Sequence, residues 1–517
     1  MKIMKSGITF GIVAGLLTFL FGGWSVAVIG SLMGVGLGMG LGSKLERKDP
    51  FKIAKDVAPT AIIAGAILIV LSLYQNSFVQ HAIGKQPAQL NIVIFGNLIG
   101  FLGTVLFTTL LAGLHGLPEK DEQKWKMILL AFLVIAFPFI DKLTALRWTA
   151  QIIFALIFVI LGLGLNIVVG YAGLLDLGYA AFFAIGAYTT GMLSSGAHNI
   201  HINFWIVIWI AAAMAAVWGF MLGAPTLPLR GDYLAIVTLG FGEIVPVLFK
   251  NLIDVTIKEP FTCWILPIFK VQTSCIVLVD HFDLTLGEKG ISPIGRPSLP
   301  FIGEFESSNP ITWYFLIIAI ILLSVFIINR LRNSRLGRSW MAIREDELAA
   351  AQMGIDPVKT KLAAFALGAT FSGFAGAFYA AYISGIFPSV FDFSASIIIL
   401  CVVILGGIGN INGVIVGGLV LMTADRLFLP ALKDFLASLL THTVLPSISN
   451  PVVQLAVKDN ANPILYRFLL FGLTLVIMMA VRPEGLIPNS QNRAEFHPEE
   501  VLVVEAETPV TKKAKKG

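Results

Sequence analysis

Two carboxylates fall where a carboxylate is costly and stand out for it: Asp176 in GYAGLLDLGYAAFFAIGAY (170 to 188) and Glu243 in LRGDYLAIVTLGFGEIV (229 to 245), both inside apolar runs. An ionisable group within hydrocarbon is expensive, so each marks a path, a gate or a buried pair. Asp176 stands between Gly173 and Gly178, where the pattern predicts a helix break and unwound backbone lining a pathway, with capping as the plainer role. Glu243 is read as a pathway residue or as half of a structural pair with Arg230. A second break is expected at Gly406, Gly407, Gly409 and Gly413, which interrupt SIIILCVVILGGIGNINGVIVGGLVLM. Two interrupted segments in the two halves of a chain point to a central translocation site.

Other chemistry lacks its residues. No G-x-x-x-x-G-K-[ST] loop, H-E-x-x-H or C-x-x-C pair occurs, so the chain has no phosphate loop of its own and nothing here predicts a metal or a bound cofactor. Its seven histidines are scattered. Of three cysteines, Cys263 and Cys275 share one polar loop, where either a disulfide or two free thiols is open, and Cys401 sits in an apolar run as a small hydrophobe.

The elements positioning these residues are set by composition. The 517 residues are 56% hydrophobic and 13% charged, where a soluble chain has about 25% charged residues. The expected fold is all-α, a polytopic bundle of about 10 to 13 spans counting broken or re-entrant helices, each needing about 20 apolar residues. The net charge of +5 speaks for orientation in a membrane, and no basic, aromatic-interleaved patch predicts nucleic-acid binding. Apolar runs at 7–41, 57–75 and 92–114 read as a membrane extension over 1–125, the first being too long for a cleaved signal. A core over 126–487 follows, with spans near 127–140, 148–169, 177–195, 204–223, 232–250, 311–329, 362–383 and 465–481. Residues 394–428 read as two short helices with an irregular link, and 488–517 as a disordered tail.

One densely charged segment interrupts this core, RLRNSRLGRSWMAIREDELAAAQMGIDPVKTK (330 to 361). Its seven basic residues place it on the cytoplasmic side, which puts 251–310 outside and the termini inside. Within it Glu347, Ala350, Ala351 and Gly354 recur at i, i+3, i+4 and i+7, one face of a helix with a shallow, small-residue surface. Asp346 and Glu347 suit that helix's start, and Asp356-Pro357 its stop.

Together with LTLGEKGI (284 to 291), LGRSWMAIREDELAAAQMGID (336 to 356) and VILGGIGNINGVIVGG (403 to 418), the two carboxylate segments resemble the LivM-type permeases of branched-chain amino-acid ABC transporters, five motifs in order over roughly 127–487. The resemblance implies a transport subunit in a bacterial inner membrane, with a sister permease, two cytoplasmic ATPase subunits that hydrolyse ATP and engage the 330–361 loop, and an extracytoplasmic binding protein delivering substrate. In the importer loop a Glu precedes two Ala and stands six residues before a Gly; counted back from Gly354, Leu348 takes the Glu position. Asp176 and Pro246 also depart from the usual residues. A urea or short-amide permease, and an ion-coupled transporter using Asp176 and Glu243 as carriers, are the alternatives.

Overall fold

The computed structural model describes residues 119–144, 148–196, 200–226, 232–253, 255–258, 277–299, 303–306, 308–430, 432, 433, 440, 462–482 and 484–487. The extension over 1–118, Arg230, Cys263, Cys275 and the tail lie outside these residues. The chain divides into two compact units, Met1–Arg147 with Leu429–Leu465, and Trp148–Phe428 with Tyr466–Gly517. In the first, helix α1 (Glu119–Thr144) covers the expected span at 127–140.

The second unit holds the bundle. Its helices are α2 (Trp148–Leu165), α3 (Ala180–Ser194), α4 (Phe204–Thr226), α5 (Asp232–Asn251), α6 (Pro310–Arg332), α7 (Arg335–Glu345), α8 (Glu347–Gln352), α9 (Pro357–Ile383), α10 (Phe393–Gly406), α11 (Ile411–Thr423) and α12 (Arg467–Val481). Among the described residues seven helices are long and apolar enough to cross a membrane, and α3 and α10 are shorter apolar helices. The protein is an all-α, multi-pass membrane bundle.

Helix α9 is its axis, packed on α2, α3 and α4. Lipid offers no hydrophobic drive between helices, so close backbone approach through small residues must hold them. A methyl group on Gly186 of α3 would lie 2.6 Å from the Cα of Gly373 of α9, and one on Gly373 would lie 2.7 Å from the Cα of Ala212 of α4. Neither contact tolerates a side chain. Large side chains fill what remains: Trp313, Phe378 and Tyr382 meet edge to face or stacked, with ring centroids 5.4 to 6.0 Å apart.

Helices α10 and α11 form the expected pair of short helices. They pack on each other, with Gly406 and Gly417 in backbone contact, and turn at Gly407 and Gly409, both at positive φ (118° and 80°). A side chain is strained there, so the glycines define the break. At the end of the bundle opposite α7 and α8, two small antiparallel pairs form, β1 (Val255–Lys258) with β2 (Val277–Phe282) and β3 (Ser298–Leu299) with β4 (Gly303–Glu304). This loop is tied down by bridges from Ser195 to Ile294 and from Ile291 to Ile386, and by an ion pair of Lys250 with Glu288. The Lys250 ammonium, by hydrogen bond and charge, holds the Glu288 carboxyl below its usual range.

Candidate functional site

The two predicted interruptions meet. Helix α2 loosens into a π-helical stretch, Asn166–Tyr171, then leaves helical geometry until α3 begins at Ala180. A π turn inside a span marks a place where the backbone ladder is rearranged, often for function. Asn166 is fully buried in it, and its Oδ1 accepts from the backbone N–H of Gly409, 2.8 Å away, in the turn between α10 and α11. Gly170 stands directly over that contact; a methyl group on it would lie 2.8 Å from the nitrogen of Gly409.

The same stretch is tied to the charged segment. Where the π turns run out, the carbonyl of Gly170 would lack a helical donor, and Nη1 of Arg344, in the last turn of α7, donates to it at 2.6 Å. Gly173, at φ 71°, admits the Arg344 side chain, whose Cγ would lie 2.8 Å from any added methyl group. One turn earlier on α7, Trp340 is buried and its Nε1 donates to the carbonyl of Thr360 on α9. Helix α7 is therefore held rigidly to the long central helix on one side and to the interrupted helix on the other.

The turn has a second partner. Leu486 and Ile487 donate their backbone N–H groups to the carbonyls of Leu405 and Gly406 at 2.9 and 3.2 Å, and Asn410 Nδ2 donates to the carbonyl of Ile487 at 3.0 Å. Nothing in the sequence pattern singled out Asn166, Arg344 or this strap after α12. An Asn one turn before a glycine-rich break, and an Arg spaced one turn from a Trp in an amphipathic segment, were the available signals.

Asp176 is buried. Its Oδ1 accepts from the N–H of Gly178 at 2.9 Å, a capping contact, while no hydrogen bond reaches its Oδ2. Thr238 of α5 stands beside it and accepts from the N–H of Leu177 at 3.1 Å. Gly178 meets α5 at Thr238 and Gly242, too closely for any side chain. Pro246 lies within α5, and its missing N–H removes the helical donor for the carbonyl of Gly242, so α5 is weakened beside the unwound stretch. Asn166 Nδ2 and the Tyr171 hydroxyl are buried without hydrogen bonds as well. Such unpaired groups are rare in a settled interior, and three of them fall within this one stretch, 166–176.

Glu243 lies on the other side of α5, exposed, whereas Thr238 and Gly242 face inward. Asp176 and Glu243 are not brought together, and a relay between the two carboxylates has no geometry here. Gly406 and Gly413 pack backbone to backbone within the α10–α11 turn.

In the charged segment the local structure follows its capping residues. Asp346 accepts from the N–H groups of Leu348 and Ala349 at 2.8 and 3.0 Å and starts α8; Gly354, at φ 83°, ends it. Asp356 acts as the cap of the next helix, accepting from the N–H of Lys359, so Asp356-Pro357 starts α9 rather than only stopping α8. That contact and the Lys359 side chain hold the Asp356 carboxyl below its usual range. Ala350 is buried, Ala351 is partly buried, and Glu347 pairs with the buried Lys361 of α9 at 2.7 Å. The face turned outward carries Leu348, Ala349, Gln352 and Met353, with Leu348 65% and Met353 84% exposed.

The geometry is that of a multi-pass membrane bundle in which two broken helices are hydrogen-bonded to each other and an amphipathic segment is fastened to the break. The sequence comparisons say which family builds it. Residues 149–478 match the family described as branched-chain amino acid transport system / permease component. The chain is 36% identical over 388 residues to the high-affinity branched-chain amino acid transport system permease protein LivM of Escherichia coli K12, covering 71% of this chain and 75% of that one. It is 35% identical over 396 residues to the LivM protein of Salmonella typhimurium LT2, covering 72% and 77%. A shorter similarity, 29% over 163 residues, joins it to the LivH permease protein of Escherichia coli K12, covering 29% of this chain and 50% of LivH. No solved structure matches. The chain belongs to the branched-chain amino acid transport system permease family.

Proposed function

We propose that this chain is the membrane-spanning subunit of an ATP-driven importer for branched-chain amino acids, working by alternating access in a bacterial inner membrane. The observation that carries this reading is the continuous set of contacts from the charged segment to both broken helices: Trp340 to α9, Arg344 to Gly170, and Asn166 to Gly409. Two cytoplasmic ATPase subunits hydrolyse ATP, and the chain itself binds no cofactor. One of them docks on the outward face of α8, at Leu348, Gln352 and Met353. Its motion on nucleotide closure is delivered through α7 to the carbonyl of Gly170 and so to the interrupted stretch 166–179.

That stretch can switch because it is poorly satisfied where it stands. Asn166 Nδ2, the Tyr171 hydroxyl and Asp176 Oδ2 have partners to gain in a second arrangement. Gly173, Asp176, Gly178 and the glycines at 406, 407, 409 and 413 act as the gate, which opens and closes one end of the path. The walls supplied by Leu, Ile, Val and Phe suit an apolar side chain in transit. Affinity belongs mainly to a binding protein, which docks at the 251–310 end. The second half of the path comes from a sister permease, and both termini are cytoplasmic.

Reconstitution tests this reading. The chain, its sister permease, the two ATPases and the binding protein are placed in proteoliposomes with ATP inside or outside, and labelled leucine uptake is measured. Uptake that requires ATP on the ATPase side and ignores an uncoupler is expected. Uptake that follows urea instead of leucine, or that collapses with the uncoupler while ATP persists, overturns it.

A further inference from the structure

Helix α5 has two faces of opposite character. Leu234, Ala235, Thr238, Gly242 and Val245 are buried on the inner face, which lies along the unwound stretch beside Asp176. The outer face carries Tyr233, Ile236, Gly240, Glu243 and Val247, spaced three and four residues in alternation. That is the spacing of a seam that takes a second helix. Tyr233, Ile236, Glu243 and Val247 are exposed, and a methyl group built on Gly240 meets nothing within 4 Å.

Bare lipid does not suit this face. Glu243 is the twelfth of the twenty residues of α5, which puts it about 2 Å from the middle of the helix at about 1.5 Å per residue. Among the described residues it has no ion-pair or hydrogen-bonding partner. Hydrocarbon supplies neither a donor nor a counter-charge, so a carboxylate at this level needs protein or water against it. The exposed faces of α4 and α6 differ: Ile206, Trp209 and Phe220 on α4, and Leu322 and Phe326 on α6, are apolar and accept acyl chains.

A second copy of the chain does not fit either. Two α5 helices related by a two-fold axis along the membrane normal would set the centre of the seam against itself, Glu243 against Glu243. Two carboxylates so placed in a low dielectric repel. We infer that the outer face of α5 is the seam with the sister permease, a different chain, which brings a hydrogen-bond donor or a cation to the level of Glu243 and approaches closely at Gly240. This rests on the reading of the chain as one of a pair of permeases. It also gives α5 a double role, because its inner face lies along the gate stretch at Leu177 and Gly178 while its outer face meets the partner.

The test uses the full chain co-expressed in membranes with its sister permease, ATPases and binding protein. The photoreactive residue p-benzoylphenylalanine replaces Val247 in one variant and Phe220, on the exposed face of α4, in another. After irradiation the adducts are identified by mass spectrometry, and the sister permease recovered with the tagged, unirradiated chain is measured separately. An adduct with the sister permease from position 247, at least fivefold above position 220, is expected. Adducts from 247 with lipid alone, or with a second copy of the chain, overturn the seam. If the sister permease is recovered with the chain but 247 gives no adduct with it, the seam fails and the pairing stands. If it is not recovered at all, the pairing fails with it.

Discussion

Arg344 joins the charged segment to a carbonyl that its own helix leaves without a donor. A charge-assisted hydrogen bond to a group of this kind contributes about 1.5 kcal/mol or somewhat more, so Arg344→Ala should fold. Its defect should lie in coupling: in proteoliposomes the ratio of leucine moved to ATP hydrolysed is expected to fall several-fold, with the amount of bound ATPase unchanged. A parallel loss of ATPase binding would instead assign Arg344 to the docking surface. Asn166 is the deeper residue. Asn166→Leu leaves the N–H of Gly409 without its acceptor in a buried site and should cost about 1 to 3 kcal/mol, read as a lower unfolding midpoint in detergent. Glu347 belongs to this scale as well. Lys361 is buried and Glu347 stands over it, so Glu347→Gln is expected to lower stability through the lysine it abandons, while Lys361→Met combined with Glu347→Gln recovers part of the loss.

Among the elements, α8 shows how a helix of six residues presents one face and hides the other. Alanines at 350 and 351 turn toward the bundle because Asp346 fixes where the helix begins and Lys361 holds Glu347 inward. Leu348→Asp with Met353→Asp should therefore reduce ATPase pull-down at least tenfold with the chain still monodisperse in detergent. A bulky residue at Ala350 should damage folding before it damages docking, and equal pull-down by the Leu348 and Met353 double variant would remove the docking assignment. At the far end, the 3-10 turn Gly287–Lys289 is anchored to α5 by Glu288 and Lys250. A carboxyl lowered in the folded state adds stability above its ordinary value of about 4.3, and that stability is lost as pH falls through the lower folded value. Hydrogen exchange in residues 284–291, corrected for its intrinsic pH dependence, should be unchanged from neutral pH down to about 5 and should rise below about 4. Glu288→Gln should abolish this acid step.

At the scale of the molecule, the bundle depends on helices that approach through glycine. Gly373→Leu would force α9 away from α4, and a loss of about 3 kcal/mol or more, seen as aggregation in size-exclusion chromatography, is expected. Much of this architecture is legible in the residues. Apolar runs of the right length predict the spans from 148 onward within a few residues, and the glycines at 406 to 413 predict the short paired helices, because each signal is local: hydrocarbon thickness sets length, and positive φ selects glycine. The family was legible for a related reason, since its motifs are short segments whose order survives divergence. What a residue faces is a different kind of fact. The period that placed Glu347, Ala350, Ala351 and Gly354 on one side of a helix could not say whether that side met a partner or the bundle, and the same period could not tell that Asp176 and Glu243 lie on opposite sides of α5. The sequence by itself determined that this is a membrane permease with a charged loop and two broken helices. Only the tertiary structure decided that the breaks touch through Asn166 and that Arg344 fastens the loop to them, because these contacts join residues 243 and 174 positions apart. It also decided that Leu348 and Met353 look outward, because that depends on the pairing of Glu347 with Lys361 of the next helix, and no local pattern encodes any of these contacts.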